Sequence, residues 1–138
     1  MNLNDVFDEL HSRAEHVPRP PRLPTVDEVN AAERQIGLPF PEDYRRFLLE
    51  ASDVVLGTLE PATICDSTSH THFPDVVASA RAFGMPDDWI PICEDNADFY
   101  CLDPAGAVRF WSHNGATHDS WPNIATWLRD VWLGERAA

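Results

Sequence analysis

The sequence predicts an α+β fold: a small, mostly antiparallel sheet with helices packed around it. Three observations predict it. Apolar residues recur at helical spacing through the first fifty positions, and again near 74–83. From residue 89 the period shortens to that of strands, with turn residues between the runs. Helical spacing then returns at the end of the chain. A length of 138 residues suits one such domain with a proper core and is short for two.

The elements follow in order. Leu3, Val6, Phe7, Leu10 and Ala14 mark one face of a first helix over residues 3–15. Pro18, Pro20, Pro21 and Pro24 then form a stiff connector that is neither helix nor central strand. This divides the chain into an appended helix and connector, residues 1–22, and a main domain, residues 23–138.

Thr25 and Glu28 have the spacing of a capping box, and Gly37 is placed to end the helix in the left-handed region. Val26, Val29, Ala32 and Ile36 form the stripe between them. Leu38-Pro39-Phe40-Pro41 makes a corner, with Pro41 suited to the first turn of a further helix that buries Tyr44, Phe47, Leu48 and Ala51.

Residues 54–59 and 62–65 are β-type runs broken by Pro61. A polar loop from Asp66 to His72 leads into a helix over 74–83, with Val76, Val77, Ala80 and Phe83 inward and Gly84 beyond its end. Residues 89–93 read as a strand whose Pro91 demands an edge or a bulge. Asp103-Pro104-Ala105-Gly106 is a turn between strands 98–102 and 107–111. After Asn114-Gly115 a closing helix is expected over 120–133, with Ile124, Trp127, Leu128 and Val131 inward.

Charge narrows the function. Twenty-three acids face ten bases, all arginine, for a formal net charge of −13. Such a chain repels phosphate backbones and anionic lipid, so nucleic acid and membrane surfaces are not its expected partners. It suits solubility, and it also steers a basic protein towards the surface. The first residues carry neither a basic region nor an apolar run, so the expected compartment is the cytoplasm. Cys65, Cys93 and Cys101 include no CxxC pair and are expected as buried free thiols.

Several strings resemble the SUKH superfamily of Smi/Knr type. They are Ile36-Gly37-Leu38-Pro39 with Pro41-Glu42-Asp43-Tyr44-Arg45-Arg46-Phe47-Leu48, the segment from Pro91 to Asp103, and the closing helix. The resemblance spans roughly residues 23–133. Residues 52–57 stand where the family usually shows Asn-Gly, and Ala97 stands where glycine commonly precedes the aspartate of the central turn. A left-handed alanine there would cost about 1–2 kcal/mol. The resemblance implies a non-catalytic binding domain needing no cofactor. Bacterial members are similar to immunity proteins that neutralise a co-encoded toxin, and fungal ones look like signalling hubs.

Other chemistries are weaker. No nucleophile elbow, P-loop, dinucleotide fingerprint or zincin motif is present. Ser112, His113 and Asp119 supply triad residue types, yet a nucleophile and base adjacent on a strand point to opposite sides. His70 and His72, joined by His113 and His118, are the candidate metal ligands and would serve a metal-dependent or hydrolytic enzyme. The acidic run Glu94 to Asp98 lacks the ligand spacing of a calcium loop and reads as a polar turn doubling as a contact patch. Glu94, Asp95 and Asp98 are therefore the expected protein-binding residues, with Trp111 and Trp132 as partly exposed anchors. A regulatory scaffold without a toxin partner is the remaining reading.

Overall fold

The computed structural model describes residues 2–112 and 114–135. Helices α1 (Leu3–Arg13), α2 (Val26–Ile36) and α3 (Glu42–Glu50) precede strand β1 (Glu60–Pro61) and helix α4 (Phe73–Ala82). Strands β2 (Ile90–Asp95), β3 (Asp98–Leu102), β4 (Val108–Ser112) and β5 (Gly115–Trp121) follow. The last helical segment begins as α5 (Ile124–Trp127), passes through a π-helical turn (Leu128–Trp132) and ends as α6 (Leu133–Glu135). The sheet runs β1-β2-β3-β4-β5, each strand antiparallel to its neighbour. No helix among the described residues is long and apolar enough to cross a membrane.

Local chemistry sets most helix ends. The Thr25 side chain accepts from the Glu28 amide while the Glu28 carboxylate accepts from the Thr25 amide, and Gly37 closes α2 at φ 78°. Asn2 and Asp5 form the same reciprocal cap on α1. At the end of α4, Gly84 N–H donates to the Arg81 carbonyl and Met85 N–H to that of Ala80, with Gly84 at φ 93°. This is a Schellman motif. It turns the chain so that Met85 takes the inward place, and Phe83, expected inward, is 50% exposed. Val26, expected on the α2 stripe, also lies outside, at the first turn.

The first helix is not an appendage. Leu3, Val6, Phe7 and Leu10 lie in the same core cluster as the residues of α2, α3, the sheet and the last helix. Glu15 N–H donates to the Val55 carbonyl at 2.7 Å, and the Glu15 carboxylate accepts from Gly57 N–H at 2.7 Å. These bonds correct the reading of residues 54–59 as a strand. The run bends at Gly57, which has φ 65°, and Glu15 just after α1 and Trp132 of the last helical segment bond its backbone in place of a sheet neighbour. The run at 62–65 is likewise not a strand and makes one parallel bridge, Thr63 to His72. The residues that pair are Glu60 and Pro61, on the sheet edge, where a proline needs no outer partner.

Pro91 behaves as expected, since β2 carries a register shift between Pro91 and Cys93. The turn at 103–106 also forms, with the Asp103 carboxylate accepting from the amides of Ala105 and Ala107. The expected helix over 120–133 starts later. Ser120 and Trp121 belong to β5, and Asn123 caps the helix by accepting from Thr126 N–H at 2.8 Å. Ile124, Trp127 and Leu128 are buried as expected, and Val131 is only partly so. An aromatic layer joins helices to sheet: Phe40 meets Tyr44 and Phe73, Phe47 meets Trp132, and Tyr100 meets Trp127 at 5.2 Å.

Candidate protein-binding surface

The tight hairpin between β2 and β3 builds the acidic end of the sheet. Its two turn residues, Asn96 and Ala97, both have positive φ, at 52° and 70°, as a type I′ turn requires. Asp95 and Asp98 are thereby cross-strand partners, and one pair further Glu94 faces Phe99. On the other side of β2, Glu94 faces Glu60. Acid thus stands opposite acid twice, an arrangement that disfavours the sheet by a few tenths of a kcal/mol or more per pair, about 0.2–1. A shallow depression of about 360 Å³ lies here, lined by Glu60, His70, Val76, Glu94, Asp95 and Asn96 among others.

Residues opposite one another in register share a sheet face, so Glu94, Phe99 and Trp111 form one row across β2, β3 and β4. The structure therefore brings Glu94 and Trp111 to the same side, with Asp95 and Asp98 at the hairpin end. Glu94 is exposed, and Asp95, Asp98 and Trp111 are half-buried. The Trp111 ring packs edge-on against Trp89 at 6.0 Å. Trp132 does not belong with them. It is 1% exposed, and its indole donates to the Leu56 carbonyl inside the core.

The histidines separate. His70 Nε2 lies 2.7 Å from the Glu60 carboxylate, whereas His72 Nδ1 lies 3.2 Å from that of Asp75. His118 is exposed on β5, and His113 lies outside the described residues. Among the described residues no group of three or more His, Cys, Asp or Glu side chains is placed to hold a metal ion. The Ser112 hydroxyl donates to the Gly115 carbonyl, and Asp119 accepts from Thr117, so both serve the β4–β5 turn.

The thiols differ in accessibility. Cys93 and Cys101 are buried and Cys65 only partly, against the expectation that all three are enclosed. Burial pushes the Cys101 thiol up to about 12 and raises that of Cys65 in the same direction. Burial likewise drives the fully enclosed Tyr44 hydroxyl far above its ordinary value. Outside the acidic end, Arg22 grips Glu28 through two hydrogen bonds, of 2.7 and 2.8 Å, and holds that carboxylate down to about 2.

Sequence reasoning missed a larger cleft of about 660 Å³ between the proline connector and residues 54–71. Arg19 to Arg22 form one wall and Trp132 is among its lining residues. It also missed Phe83 and Trp89 as surface residues. Phe83 carried a signal, since Gly84 directly after it marks where the chain leaves the helical path.

Helices packed on an antiparallel sheet, with a carboxylate-rich hairpin exposed at one end, make this an α+β domain. The model of the SMI1-KNR4 cell-wall family, SUKH_5, matches residues 3–133, and the chain belongs to that family. The match takes in α1 as well as the region expected from the motifs. A crystal structure of a protein from Pseudomonas syringae pv. tomato is similar at TM-score 0.91 and 42% identity, over 95% of this chain and 98% of that one. Among curated proteins, none matches the chain.

Proposed function

We propose that the protein is a non-catalytic binding domain that neutralises a co-encoded, basic toxin domain in the manner of an immunity protein. The observation that carries this reading is the pairing of acid with acid at one end of the sheet, Glu60 with Glu94 and Asp95 with Asp98. Like charges set opposite one another disfavour a sheet, whereas a basic partner would be drawn to them. Membership of the SUKH family supports a binding role, and the net charge of −13 supports a basic partner.

The test is purification of the tagged protein from its native host, with identification of what elutes at high salt. Binding kinetics against that partner follow at two ionic strengths. Reversing Glu94 and Asp95 to lysine slows association at low salt, whereas Trp111→Ala acts on dissociation. A metabolic complex in the eluate, or association indifferent to charge reversal, would overturn the proposal.

A further inference from the structure

We propose that Phe83, Trp89 and Trp111 form a docking face for an arginine-rich segment of a protein partner. The inference rests on the protein-binding reading above and adds to it the residues and the chemistry of contact. Phe83 is 50% exposed, and its ring stands over Phe99 at 6.3 Å. Phe99 faces Trp111 in register, and Trp111 meets Trp89 at 6.0 Å. Phe99 itself is 1% exposed, so Phe83 and the Trp89–Trp111 pair flank one buried ring between the end of α4 and β4. On the other side of that ring, Glu94 of the acidic hairpin is the register partner of Phe99.

Carboxylates surround this surface. Asp87 and Asp88 are exposed immediately before Trp89, and Glu94, Asp95 and Asp98 lie at the hairpin. The bases beside them are Arg81, whose Nε lies 4.0 Å from Asp87, and Arg109, which faces Asp103 at 3.6 Å. Among the described residues the rim is acidic, with Asp87, Asp88, Glu94 and Asp95 exposed or half-buried there. An aromatic face with that rim matches a cation, and arginine in particular, whose flat guanidinium stacks on rings while its edge meets a carboxylate.

The molecule twice shows this arrangement with its own arginines. Arg109 lies over the Trp89 ring at 5.3 Å with Asp103 beside it, and Arg46 lies over Phe7 at 5.5 Å while pairing with Glu50 at 2.8 Å. Phe83 has a neighbouring ring in Phe99, and among the described residues no guanidinium is placed over its exposed half. A partner's arginine supplies it.

The experiment uses the full chain, labelled with nitrogen-15, and a synthetic octapeptide of alternating arginine and glycine at low salt. Lysine-glycine and glutamate-glycine peptides are the controls. The arginine peptide shifts the indole signals of Trp89 and Trp111 and the amides around Phe83, and it binds about threefold tighter than the lysine peptide. Phe83→Ala weakens it by about threefold, and Phe83→Leu, which keeps Phe99 covered but removes the aromatic face, does the same. Absence of saturable binding, equal affinity for arginine and lysine, or shifts confined to residues 94–98 would each overturn the proposal. So would a Phe83-dependent homodimer in sedimentation, which would make a second copy the occupant. Capture of a native partner indifferent to Phe83→Ala would end the docking face and leave the binding role standing. Peptide binding as expected, without a toxin in the native eluate, would do the reverse.

Discussion

The indole N–H of Trp132 donates to the main-chain carbonyl of Leu56 at 2.9 Å, joining residues 76 positions apart inside the core. Leu56 sits between the Val55 carbonyl and the Gly57 amide, both of which are bonded to Glu15. The indole thus gives this buried carbonyl the donor that a neighbouring strand would otherwise supply.

Trp132→Phe tests this bond. The ring contact with Phe47 can persist, but the Leu56 carbonyl loses its donor in a buried setting. The expected loss is about 1–3 kcal/mol of stability, measured by urea unfolding. A variant as stable as the parent would show that the bond contributes nothing.

Ala97→Gly acts in the opposite direction. Alanine at φ 70° carries the steric cost of the left-handed region, and glycine avoids it. The variant should gain about 1 kcal/mol, offset in part by the freer unfolded chain. A denaturation midpoint that does not rise would mean that the turn relaxes in solution.

Leu10 probes whether α1 belongs to the core. The side chain is fully enclosed, so Leu10→Ala should cost about 2–5 kcal/mol. Removing residues 1–22 strips four buried side chains and should abolish cooperative thermal unfolding. Unchanged melting of the truncated chain would return α1 to the status of an appendage.

Glu28 gives a pH signature. Its hydrogen bonds from Arg22 depress the folded pKa to about 2, below the unfolded value of about 4.3. A depressed carboxylate contributes stability that is present above the unfolded value and lost as pH falls towards 2. Glu28→Gln should therefore lower stability near neutrality and converge with the parent as pH falls below 3. Because the pair is largely in solvent, the ionic part is at most about 1 kcal/mol. A difference that persists at pH 2 would assign the loss to the helix cap alone.

The sequence by itself determined what neighbouring residues decide. The Thr25–Glu28 cap, Gly37, the Asp103–Gly106 turn and the bulge at Pro91 each depend on a few adjacent residues, and each stands where its motif placed it. The acidic hairpin at Glu94 to Asp98 was legible for the same reason. What only the tertiary structure decided concerns partners distant in the chain. Residues 54–59 look like a strand, and residues 116–121 look like a loop running into a helix. Hydrogen bonding reverses both, because extended backbone is a strand only when another strand lies beside it. Trp132 and Phe83 exchanged places by the same logic. Leu56 drew the tryptophan inward from 76 residues away, and the Schellman turn at Gly84 gave the inward position to Met85.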